Sequence, residues 1–245
     1  MKKSKIPVLE IFGPTIQGEG MVVGRKTMFV RTAGCDYRCS WCDSAFTWDG
    51  SAKNDIRQML PEAIFDELKV LGDNRFDHVT ISGGNPALYP QMGNFISLLK
   101  EYEIEVALET QGSIWQDWFY DVDDLTISPK PPSSGMKTDF DKLDMIIENL
   151  RTRGLVETNV SLKVVIFDDE DLEYAKKVHS RYRDVPFYLQ VGNQDLTTVD
   201  DTELRHTLIT SYETLIDKVV DSSQLNDVRV LPQLHTLVWG NKRGV

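Results

Sequence analysis

The three cysteines of the chain lie close together, as Cys35, Cys39 and Cys42 in a C-x3-C-x2-C run. Thiolates at this spacing can ligate one metal centre only if the backbone wraps around it as a loop, and Gly34 gives the chain the freedom to turn. Iron–sulfur clusters are held by thiolates, and a four-iron cluster takes four ligands. With three cysteines, one iron stays open to a non-protein ligand, which suits a catalytic cluster.

The same cysteine run is compatible with other chemistry. A disulfide framework is disfavoured because the number of cysteines is odd and the chain is too large to need cross-links. A zinc site needs a fourth ligand, and the nearest histidine, His78, lies far outside the usual spacing, although Asp36 or Asp43 would serve. Chance clustering of buried thiols is the third alternative. The spacing therefore favours an iron–sulfur cluster and leaves zinc open.

The composition argues against several classes of partner. The chain has 245 residues, of which 41% are hydrophobic and 27% charged, and no apolar run approaches the length of about 18 residues that a membrane span requires. The net charge of −11 argues against a nucleic-acid-binding surface, which would carry a basic stripe. The basic N-terminus is not followed by the apolar stretch of a secretion signal. We therefore expect a cytoplasmic protein, without a membrane or nucleic-acid partner, that acts on a small molecule.

Short β-branched segments alternate with longer amphipathic segments, which is the pattern of βα units around a parallel sheet. No repeat or linker divides the sequence, so residues 1–245 are predicted to form a single α/β domain. The predicted strands are residues 28–32, 78–82, 105–109, 125–128, 160–167, 187–191 and 228–231. The predicted helices are residues 61–71, 91–102, 140–151, 169–181 and 202–221. These strands are too few to close a (β/α)8 barrel, so we expect an open or partial barrel with its site at the carboxyl ends of the strands.

Polar residues follow the predicted strands where the strands end. Ser82-Gly83-Gly84-Asn85-Pro86 follows the second predicted strand, and paired glycines let the backbone approach a ligand closely. The third predicted strand ends at Glu109, the fourth at Ser128 with Lys130 just beyond, and the sixth near Gln190. Taken singly, each is more often a solvated loop residue. Because they occur on consecutive strands, we expect them to line one rim of the barrel.

Three further features lie outside these strand ends. The polar run Thr15-Ile16-Gln17-Gly18-Glu19-Gly20 precedes the first predicted strand. It is either a surface turn or a loop that folds over the barrel mouth and delivers Gln17 and Glu19. Arg31 is unusual in an apolar strand, and its planar guanidinium suits a salt bridge or a substrate carboxylate. His235 follows the last predicted strand, and a lone late histidine is more often structural or exposed than catalytic.

Taken together, these motifs resemble the radical S-adenosylmethionine superfamily. The cysteine run of the chain, with Trp41 before the last cysteine, resembles the signature of that superfamily. Gly83-Gly84-Asn85-Pro86 occupies the position of the superfamily's G-G-E-P motif. More narrowly, the chain resembles the 7-carboxy-7-deazaguanine synthase family of queuosine biosynthesis. The stretches that carry this resemblance are Gln17-Gly18-Glu19-Gly20, Phe29-Val30-Arg31, Cys42-Asp43-Ser44, Glu109-Thr110-Gln111-Gly112, Ser128-Pro129-Lys130 and Gln233-Leu234-His235.

The resemblance implies a modified partial (β/α)6 barrel that forms a homodimer. It implies a 4Fe-4S cluster on the three cysteines, with S-adenosylmethionine chelated to the open iron and a flavodoxin-like or ferredoxin-like reductant. The resulting 5′-deoxyadenosyl radical would take hydrogen from C6 of 6-carboxy-5,6,7,8-tetrahydropterin. Ring contraction and loss of ammonia would then give 7-carboxy-7-deazaguanine, assisted by Mg2+ on the hydroxyl of Ser44. No side chain is implied as catalytic, because the cofactor carries the chemistry.

The resemblance and the strand-end positions assign two sets of binding residues. The predicted substrate-binding residues are Gln17, Glu19, Arg31, Ser82, Glu109, Gln233 and His235. The predicted cofactor-binding residues are Trp41, Gly83, Gly84, Asn85, Ser128, Lys130 and Gln190. At two positions the chain departs from the family pattern.

The first departure is Asn85, which replaces a glutamate, although its amide oxygen still accepts a hydrogen bond. The second is Ser44, which replaces a more usual threonine and keeps the hydroxyl on a less constrained side chain. The alternative function is a radical activase that acts on a large protein. The polar loop around Glu19, together with Arg31, favours a small polar carboxylate as substrate instead.

Overall fold

The computed structural model describes residues 4–245, so the first three residues of the basic N-terminal stretch lie outside it. The strands are β1 (Ile6–Ile16), β2 (Lys26–Thr32), β3 (Arg57–Met59), β4 (His78–Gly83), β5 (Glu105–Thr110), β6 (Asp124–Ile127), β7 (Val160–Ile166), β8 (Phe187–Val191) and β9 (Arg229–Leu231). The helices are α1 (Pro61–Gly72), α2 (Met92–Glu101), α3 (Phe140–Thr152), α4 (Asp169–Arg181), α5 (Asp201–Val220) and α6 (Leu234–Trp239). Each predicted strand and helix corresponds to one of these elements, with boundaries displaced by a few residues at most.

The strands form one nine-stranded sheet in the order β3-β1-β2-β4-β5-β6-β7-β8-β9. From β2 through β4 to β9, neighbouring strands run parallel, and helices α1 to α5 lie in the connections between them. Within the described part of the chain, the edge strands β3 and β9 do not pair with each other, so the sheet stays open. The parallel strands therefore form the partial barrel that the sequence predicted.

Local chemistry accounts for where several helices begin. Asp139, Asp168 and Asp200 precede α3, α4 and α5, and each side chain accepts a hydrogen bond from a free backbone N–H of the first turn. Helix α1 begins at Pro61. Proline costs no hydrogen bond there, because a backbone N–H in the first turn has no partner within the helix. These helices therefore start where the sequence provides a cap or a proline.

The apolar core lies between the sheet and its covering helices. Every residue of β7 is buried, as expected for a central strand of a parallel sheet. The helices bury one apolar side each, for example Phe95 and Leu99 of α2 and Ile146 and Leu150 of α3. Among residues 4–245, no helix combines the length and the apolar character needed to span a membrane.

The sequence prediction missed the first strand. β1 runs antiparallel to both β2 and β3, so the first predicted strand is the second strand of the chain. Thr15 and Ile16, which were assigned to a loop, belong to β1. Pro7, Gly13 and Pro14 conceal the strand pattern because proline and glycine usually interrupt strands. The register of β1 against β2 shifts between Phe12 and Thr15, where the strand accommodates Gly13 and Pro14.

Candidate active site

One cavity of about 420 Å³ lies at the carboxyl ends of the parallel strands. Its wall includes Ser82 and Gly83 from β4, Glu109 from β5, and Lys163 and Val165 from β7. The three cysteines line the same cavity. The parallel strands of such a sheet all end at one edge, so residues distant in sequence meet there. The cavity therefore lies at the edge of the sheet where the sequence predicts the site.

The cysteine loop follows β2 and presents three free thiols to this cavity. The sulfur of Cys35 accepts a hydrogen bond from the backbone N–H of Tyr37 at 3.4 Å. The sulfur of Cys42 accepts one from the indole Nε1 of Trp48, also at 3.4 Å. Hydrogen bonds to the sulfurs are a feature of the surroundings of protein iron–sulfur clusters.

Burial and mutual proximity act together on the three thiols. Burial, which Lys130 opposes and the neighbouring Cys42 and Cys35 reinforce, raises the pKa of the Cys39 thiol to about 11. Burial likewise raises the pKa of Cys35 and of Cys42. A metal centre binds thiolates and displaces their protons. Three unpaired thiols in one half-buried loop therefore fit the ligand set of a cluster that leaves one iron open.

The cysteine loop is fastened to the segment between β6 and α3. The indole Nε1 of Trp41 donates a hydrogen bond to Ser133 Oγ at 2.9 Å. Ser133 Oγ donates in turn to the carboxylate of Asp171 at 2.6 Å. Trp41 also packs against Phe167, with ring centroids 5.0 Å apart. Asp171 is fully buried at the start of α4, so this chain of contacts fixes the loop to the barrel.

The two glycines after β4 are required by the approach of this strand to the cysteine loop. Gly83 has a φ of +125°, and a Cβ there would lie 2.2 Å from the carbonyl oxygen of Thr32. A Cβ on Gly84 would lie 1.9 Å from the carbonyl oxygen of Gly34. Both positions therefore exclude a side chain, as the Gly-Gly pattern indicated. Gly83 and Gly84 line the cavity, where the sequence placed them.

Asn85 does not reach the cavity wall. It is fully buried, and its oxygen accepts hydrogen bonds from Thr110 Oγ1 at 2.9 Å and from the Ala87 N–H at 3.2 Å. Its Nδ2 donates to Asp36 at 2.8 Å and to Ser113 at 3.2 Å. The side chain thus has its hydrogen bonds with protein groups. Through its hydrogen bond to Asp36, Asn85 fixes the start of the cysteine loop.

Two carboxylates and one lysine form what we call the carboxylate cluster: Glu19, Glu109 and Lys163. Lys163 Nζ lies 2.6 Å from Glu19 Oε2 and 3.1 Å from Glu109 Oε2. The lysine side chain is 3% exposed. Burial alone would raise the pKa of Glu19, but Lys163, then His235, outweigh it and hold the pKa of that carboxyl well below its usual range. The carboxylate of Glu19 and the buried ammonium of Lys163 are therefore charged at neutral pH.

Sequence reasoning missed Lys163. It is the one charged residue in the strand Val160-Ser161-Leu162-Lys163-Val164-Val165-Ile166, so a signal was present. A lysine is almost never buried without a charged partner. Burial opposes its charge, but Glu109 and Glu19 raise the pKa of Lys163 above its usual range. Its position in the middle of a buried strand could have predicted a carboxylate partner across the barrel.

Polar groups on two other segments orient the carboxylate cluster. Gln17 is buried, its Nε2 donates to Glu109 Oε1 at 3.2 Å, and its Oε1 accepts from the N–H of Gly18 at 2.7 Å. Gln233 Nε2 donates to Glu19 Oε1 at 3.0 Å. His235 Nδ1 lies 3.9 Å from the same oxygen. The loop before β2 therefore folds over the barrel mouth, which was one of the two expectations for it.

The start of α6 holds this loop down. The N–H of Leu234 donates to the carbonyl oxygen of Gly18 at 3.1 Å. A Cβ on Gly18 would lie 2.5 Å from a ring nitrogen of His235, so only glycine allows this contact. The short helix α6, which the sequence prediction missed, places Gln233 and His235 beside Glu19. Its six residues are too few to give a helical pattern in the sequence.

A second charged group, the arginine cluster, consists of Glu10, Arg31 and Arg243. Arg31 Nη1 lies 2.6 Å from Glu10 Oε2, and Arg243 pairs with the other oxygen of the same carboxylate. The guanidinium of Arg31 lies 5.3 Å from the ring centroid of Phe12 and 5.5 Å from that of Phe46. Arg31 and Arg243 both line the cavity. Of the two sequence interpretations of Arg31, the salt bridge is present in the structure.

The remaining predicted residues divide into two groups. Ser44, Ser82, Ser128 and Lys130 line the cavity, and Lys130 Nζ donates to Ser128 Oγ at 3.0 Å. Gln190 is not on its wall; it is fully buried on β8, and neither polar atom of its side chain has a hydrogen-bond partner among the described residues. One ligand atom each of Glu19, Asp43 and His235 lies within 4.8 Å of the others, and Ser44 Oγ lies 3.0 Å from Asp43 Oδ1.

A partial barrel with three cysteines after its first parallel strand defines a protein of the radical S-adenosylmethionine type. Residues 29–130 match the model of the Radical SAM superfamily, a class that implies a 4Fe-4S cluster and S-adenosylmethionine. Two curated relatives are more specific. The chain is 65% identical to 7-carboxy-7-deazaguanine synthase of Bacillus cereus, over 99% of this chain and 100% of the relative. It is 68% identical to the Bacillus subtilis enzyme of the same name, over 98% of both chains. The chain belongs to the 7-carboxy-7-deazaguanine synthase family.

Solved structures agree with the fold. The crystal structure of QueE from Escherichia coli superposes with a TM-score of 0.63 at 21% identity, over 94% of this chain and 95% of that one. Streptococcus suis SuiB bound to S-adenosylmethionine superposes with a TM-score of 0.51 at 14% identity, over 83% of this chain and 46% of SuiB. At these identities the likeness supports the architecture alone.

Proposed function

We propose that this chain converts 6-carboxy-5,6,7,8-tetrahydropterin to 7-carboxy-7-deazaguanine, with loss of ammonia, in the pathway to queuosine. Relatives that are 65% and 68% identical over nearly the full chain carry the name of this synthase. The observation that carries the proposal is one cavity that joins the three cysteines to two charge clusters of opposite sign. A molecule with hydrogen-bond donors at one edge and a carboxylate at the other complements such a cavity.

The carboxylate cluster suits the donor edge of a pterin. Glu19 and Glu109 share the single positive charge of Lys163, which leaves one negative charge in excess. The Oε1 of Gln233 is buried without a hydrogen-bond partner among the described residues, next to Glu19. An N–H edge placed here would meet a charged acceptor and a free amide oxygen. Hydrogen bonds to charged groups are the stronger ones, at about 1.5–3 kcal/mol each.

The arginine cluster suits the carboxylate on C6 of the pterin. Arg31 is held by Glu10 and by two aromatic rings, so its guanidinium is oriented before a ligand arrives. Its Nε is buried without a hydrogen-bond partner among the described residues. A planar guanidinium recognises a carboxylate through paired hydrogen bonds. Ser82 lies on the same wall and completes the polar lining of the substrate site.

Cys35, Cys39 and Cys42 would hold the cluster, with Trp41, Gly83, Gly84, Ser128 and Lys130 around S-adenosylmethionine. When bound, the cluster and S-adenosylmethionine supply the 5′-deoxyadenosyl radical that starts the reaction. The side chain of Asn85 is already bonded to protein groups, so we assign it to positioning the loop through Asp36. Gln190 is also withdrawn from the wall and would need to turn towards the cavity to contact the cofactor.

A magnesium site beside Ser44 is part of the proposal. Mg2+ prefers oxygen ligands and keeps several waters, so one or two protein oxygens suffice with a substrate carboxylate. Ser44 Oγ and the neighbouring carboxylate of Asp43 offer such oxygens at the edge of the cavity. Ser44→Ala is expected to lose most of the stimulation by Mg2+, measured as turnover of metal-free enzyme to which Mg2+ is added back. Equal stimulation of both proteins would remove Ser44 from the site.

The partners follow from the chemistry of the family. The cluster needs an electron from outside, for which a flavodoxin-like or ferredoxin-like protein is proposed. Three free thiols favour a reducing compartment, which supports a cytoplasmic location. A homodimer is proposed from the family resemblance. The net charge of −11 continues to favour a small-molecule substrate over a nucleic acid.

Anaerobic turnover tests the proposed function. The reconstituted protein, with S-adenosylmethionine, Mg2+, a chemical reductant and the pterin carboxylate, should form the deazapurine and ammonia without any protein substrate. Cys39→Ala should lose cleavage of S-adenosylmethionine. The control Ser51→Ala, at an exposed position that leaves all three cysteines in place, should keep it. Formation of 5′-deoxyadenosine only when a protein partner is added would favour an activase instead. A wild-type rate in Cys39→Ala would refute the cluster assignment.

A further inference from the structure

The segment that follows α6 lies on the wall of the active-site cavity. Residues 240–245 all line it, together with Arg31, Phe12 and Phe46. Sequence reasoning assigned no role to this segment. Its Asn241 accepts a hydrogen bond from Asn193 of the cavity wall at 2.9 Å, and its one arginine, Arg243, contacts the wall at Glu10 and Phe46.

Arg243 shares both of its neighbours with Arg31. Its guanidinium lies 3.8 Å from the ring centroid of Phe46, and its Nε donates to Glu10 Oε1. Arg31 approaches the same ring and pairs with the other oxygen of the same carboxylate. Glu10 and Phe46 therefore hold two guanidinium groups side by side at one place on the wall.

The charges at this place do not balance. Two arginines share the one carboxylate of Glu10, so one positive charge remains in excess beside the cavity. The overall chain is strongly acidic, with a net charge of −11, so a local positive excess is not a consequence of composition. Like charges placed together are unfavourable unless an anion accompanies them. The side chains of Glu10 and Arg31 are only 16% and 17% exposed, so water screens the excess positive charge less and the attraction for an anion is stronger than at a fully solvated site.

We propose that Arg243 is a second specificity-determining residue for the carboxylate of the substrate, acting beside Arg31. This inference rests on the function proposed above. Glu10 sets the orientation of both guanidinium groups, and the substrate carboxylate supplies the missing negative charge between them. Two oxygens of a carboxylate can accept from two arginines at once, which a substrate without that group cannot satisfy. Through Arg243, the segment 240–245 thus contributes to substrate recognition as well as to the cavity wall.

A simpler role for Arg243 is to anchor the segment to Phe46 and Glu10. The two roles predict different results, because an anchor affects every substrate equally. A specificity residue changes the preference for the carboxylated pterin over an analogue that lacks the C6 carboxylate. The ratio of kcat/KM for the two pterins separates them.

The test uses Arg243→Met, which keeps an unbranched apolar side chain over Phe46 and removes the charge. The preference for the carboxylated pterin should fall on the order of tenfold to a hundredfold, the value of one charge-assisted hydrogen bond. Arg153→Met is the matched control, since it removes an exposed arginine that also lies over an aromatic ring, that of Tyr120 at 4.8 Å, but that does not line the cavity. Its ratio should remain that of the wild type. Arg243→Lys, which keeps the charge but not the planar fork, should fall between the two.

Equilibrium binding of the two pterins to the reconstituted proteins gives a second readout, and iron content confirms that the cluster is intact. An equal loss for both pterins in Arg243→Met, or no loss at all, would overturn the proposal and leave an anchoring role. The same loss in Arg153→Met would also overturn it, because the effect would then be one of general charge. Wild-type protein that binds neither pterin would overturn the proposed function together with this inference.

Discussion

The carboxylate cluster and the arginine cluster each contain three charged side chains, with the signs of the charges reversed. In the first, two carboxylates share one lysine, and in the second, two arginines share one carboxylate. Glu10, Arg31 and Glu19 are alike in exposure, at 16–17%, and the two clusters differ in the depth of one cation each. The side chain of Lys163 is 3% exposed on a central strand, whereas that of Arg243 is 41% exposed on a terminal segment. One cavity thus combines a buried charge arrangement with one at its surface.

This difference in depth determines what each cluster contributes. Charges far from water interact strongly and cannot be left unbalanced without a large cost. Charges near the surface are screened, and pairs there usually contribute about 0–1 kcal/mol to stability. We therefore expect the carboxylate cluster to affect both folding and substrate binding. We expect the arginine cluster to affect mainly the choice of substrate.

The largest effect is expected for Lys163→Met, which leaves Glu19 and Glu109 without their shared cation. Removing one partner from a buried ion pair typically costs about 3–5 kcal/mol. The free energy of unfolding, measured by urea denaturation of the protein, should fall by this amount. Arg243→Met, which removes the exposed member of the arginine cluster, should cost less than about 1 kcal/mol. Similar losses in the two variants would mean that depth does not distinguish the clusters.

The next effect concerns substrate binding in the carboxylate cluster. Glu109→Gln keeps the shape of the side chain but removes the charge that would accept the pterin N–H groups. Binding of the pterin should weaken on the order of tenfold to a hundredfold, with normal cluster content. Glu10→Gln keeps an amide oxygen that can hold the arginines in place but removes the negative charge that competes with the substrate carboxylate, so binding should strengthen instead. Titration of each reconstituted protein with the pterin measures both changes, and the same direction in both variants would contradict the assignment of opposite charges.

A smaller effect is expected for Arg31→Met. Binding of the carboxylated pterin should weaken by roughly tenfold, while an analogue without the C6 carboxylate should bind nearly as before. The loss is limited because Arg243 remains beside the same carboxylate position. Competition binding with the two pterins checks this. If Arg31→Met binds both as the wild type does, Arg31 is a structural salt-bridge residue.

The smallest effect concerns pH. In the wild type the pKa of Glu19 lies below its ordinary value of 4.5, so the stability that this carboxylate contributes is present above that value and lost in acid. In Lys163→Met, burial is no longer opposed by the lysine, and a carboxyl of the cluster takes up a proton at higher pH. The difference in unfolding free energy between wild type and Lys163→Met should therefore shrink as pH falls from 8 towards 5, on the order of 1 kcal/mol per pH unit at most. A difference that stays constant over this range would show that the lost charge is not what destabilises the variant.

The parts of the site that depend on local spacing were predictable from the sequence. The run Cys35, Cys39 and Cys42 determines that three thiols share one loop, wherever that loop lies. The pair Gly83-Gly84 determines a close approach of backbone, which the structure locates against Thr32 and Gly34. Alternating apolar segments determined the parallel strands and their helices. Each of these signals is contained within a few residues, so no distant partner was needed to recognise it.

The strand β1 and the inward turn of Asn85 were not predictable in this way. Proline and glycine conceal the pattern of β1, and its pairing with β2 and β3 provides the hydrogen bonds that define it as a strand. Asn85 follows a predicted site motif, yet Thr110, Asp36 and Ser113 take up its hydrogen bonds. These three partners come from two other loops and a neighbouring strand. The sequence alone does not indicate which of the possible partners form hydrogen bonds with the buried amide.

The sequence by itself determined the type of fold, the loop of three thiols and several of the polar residues at the strand ends. The tertiary structure alone decided the charge balance of the cavity. Lys163 meets Glu19 across 144 positions of the chain, and Arg243 meets Glu10 across 233. An ion pair at such a separation has no local pattern, because it depends on the order of strands in the sheet and on where the last segment lies. The sign of the charge presented to a substrate is set by these pairings, and it exists only once the barrel has formed.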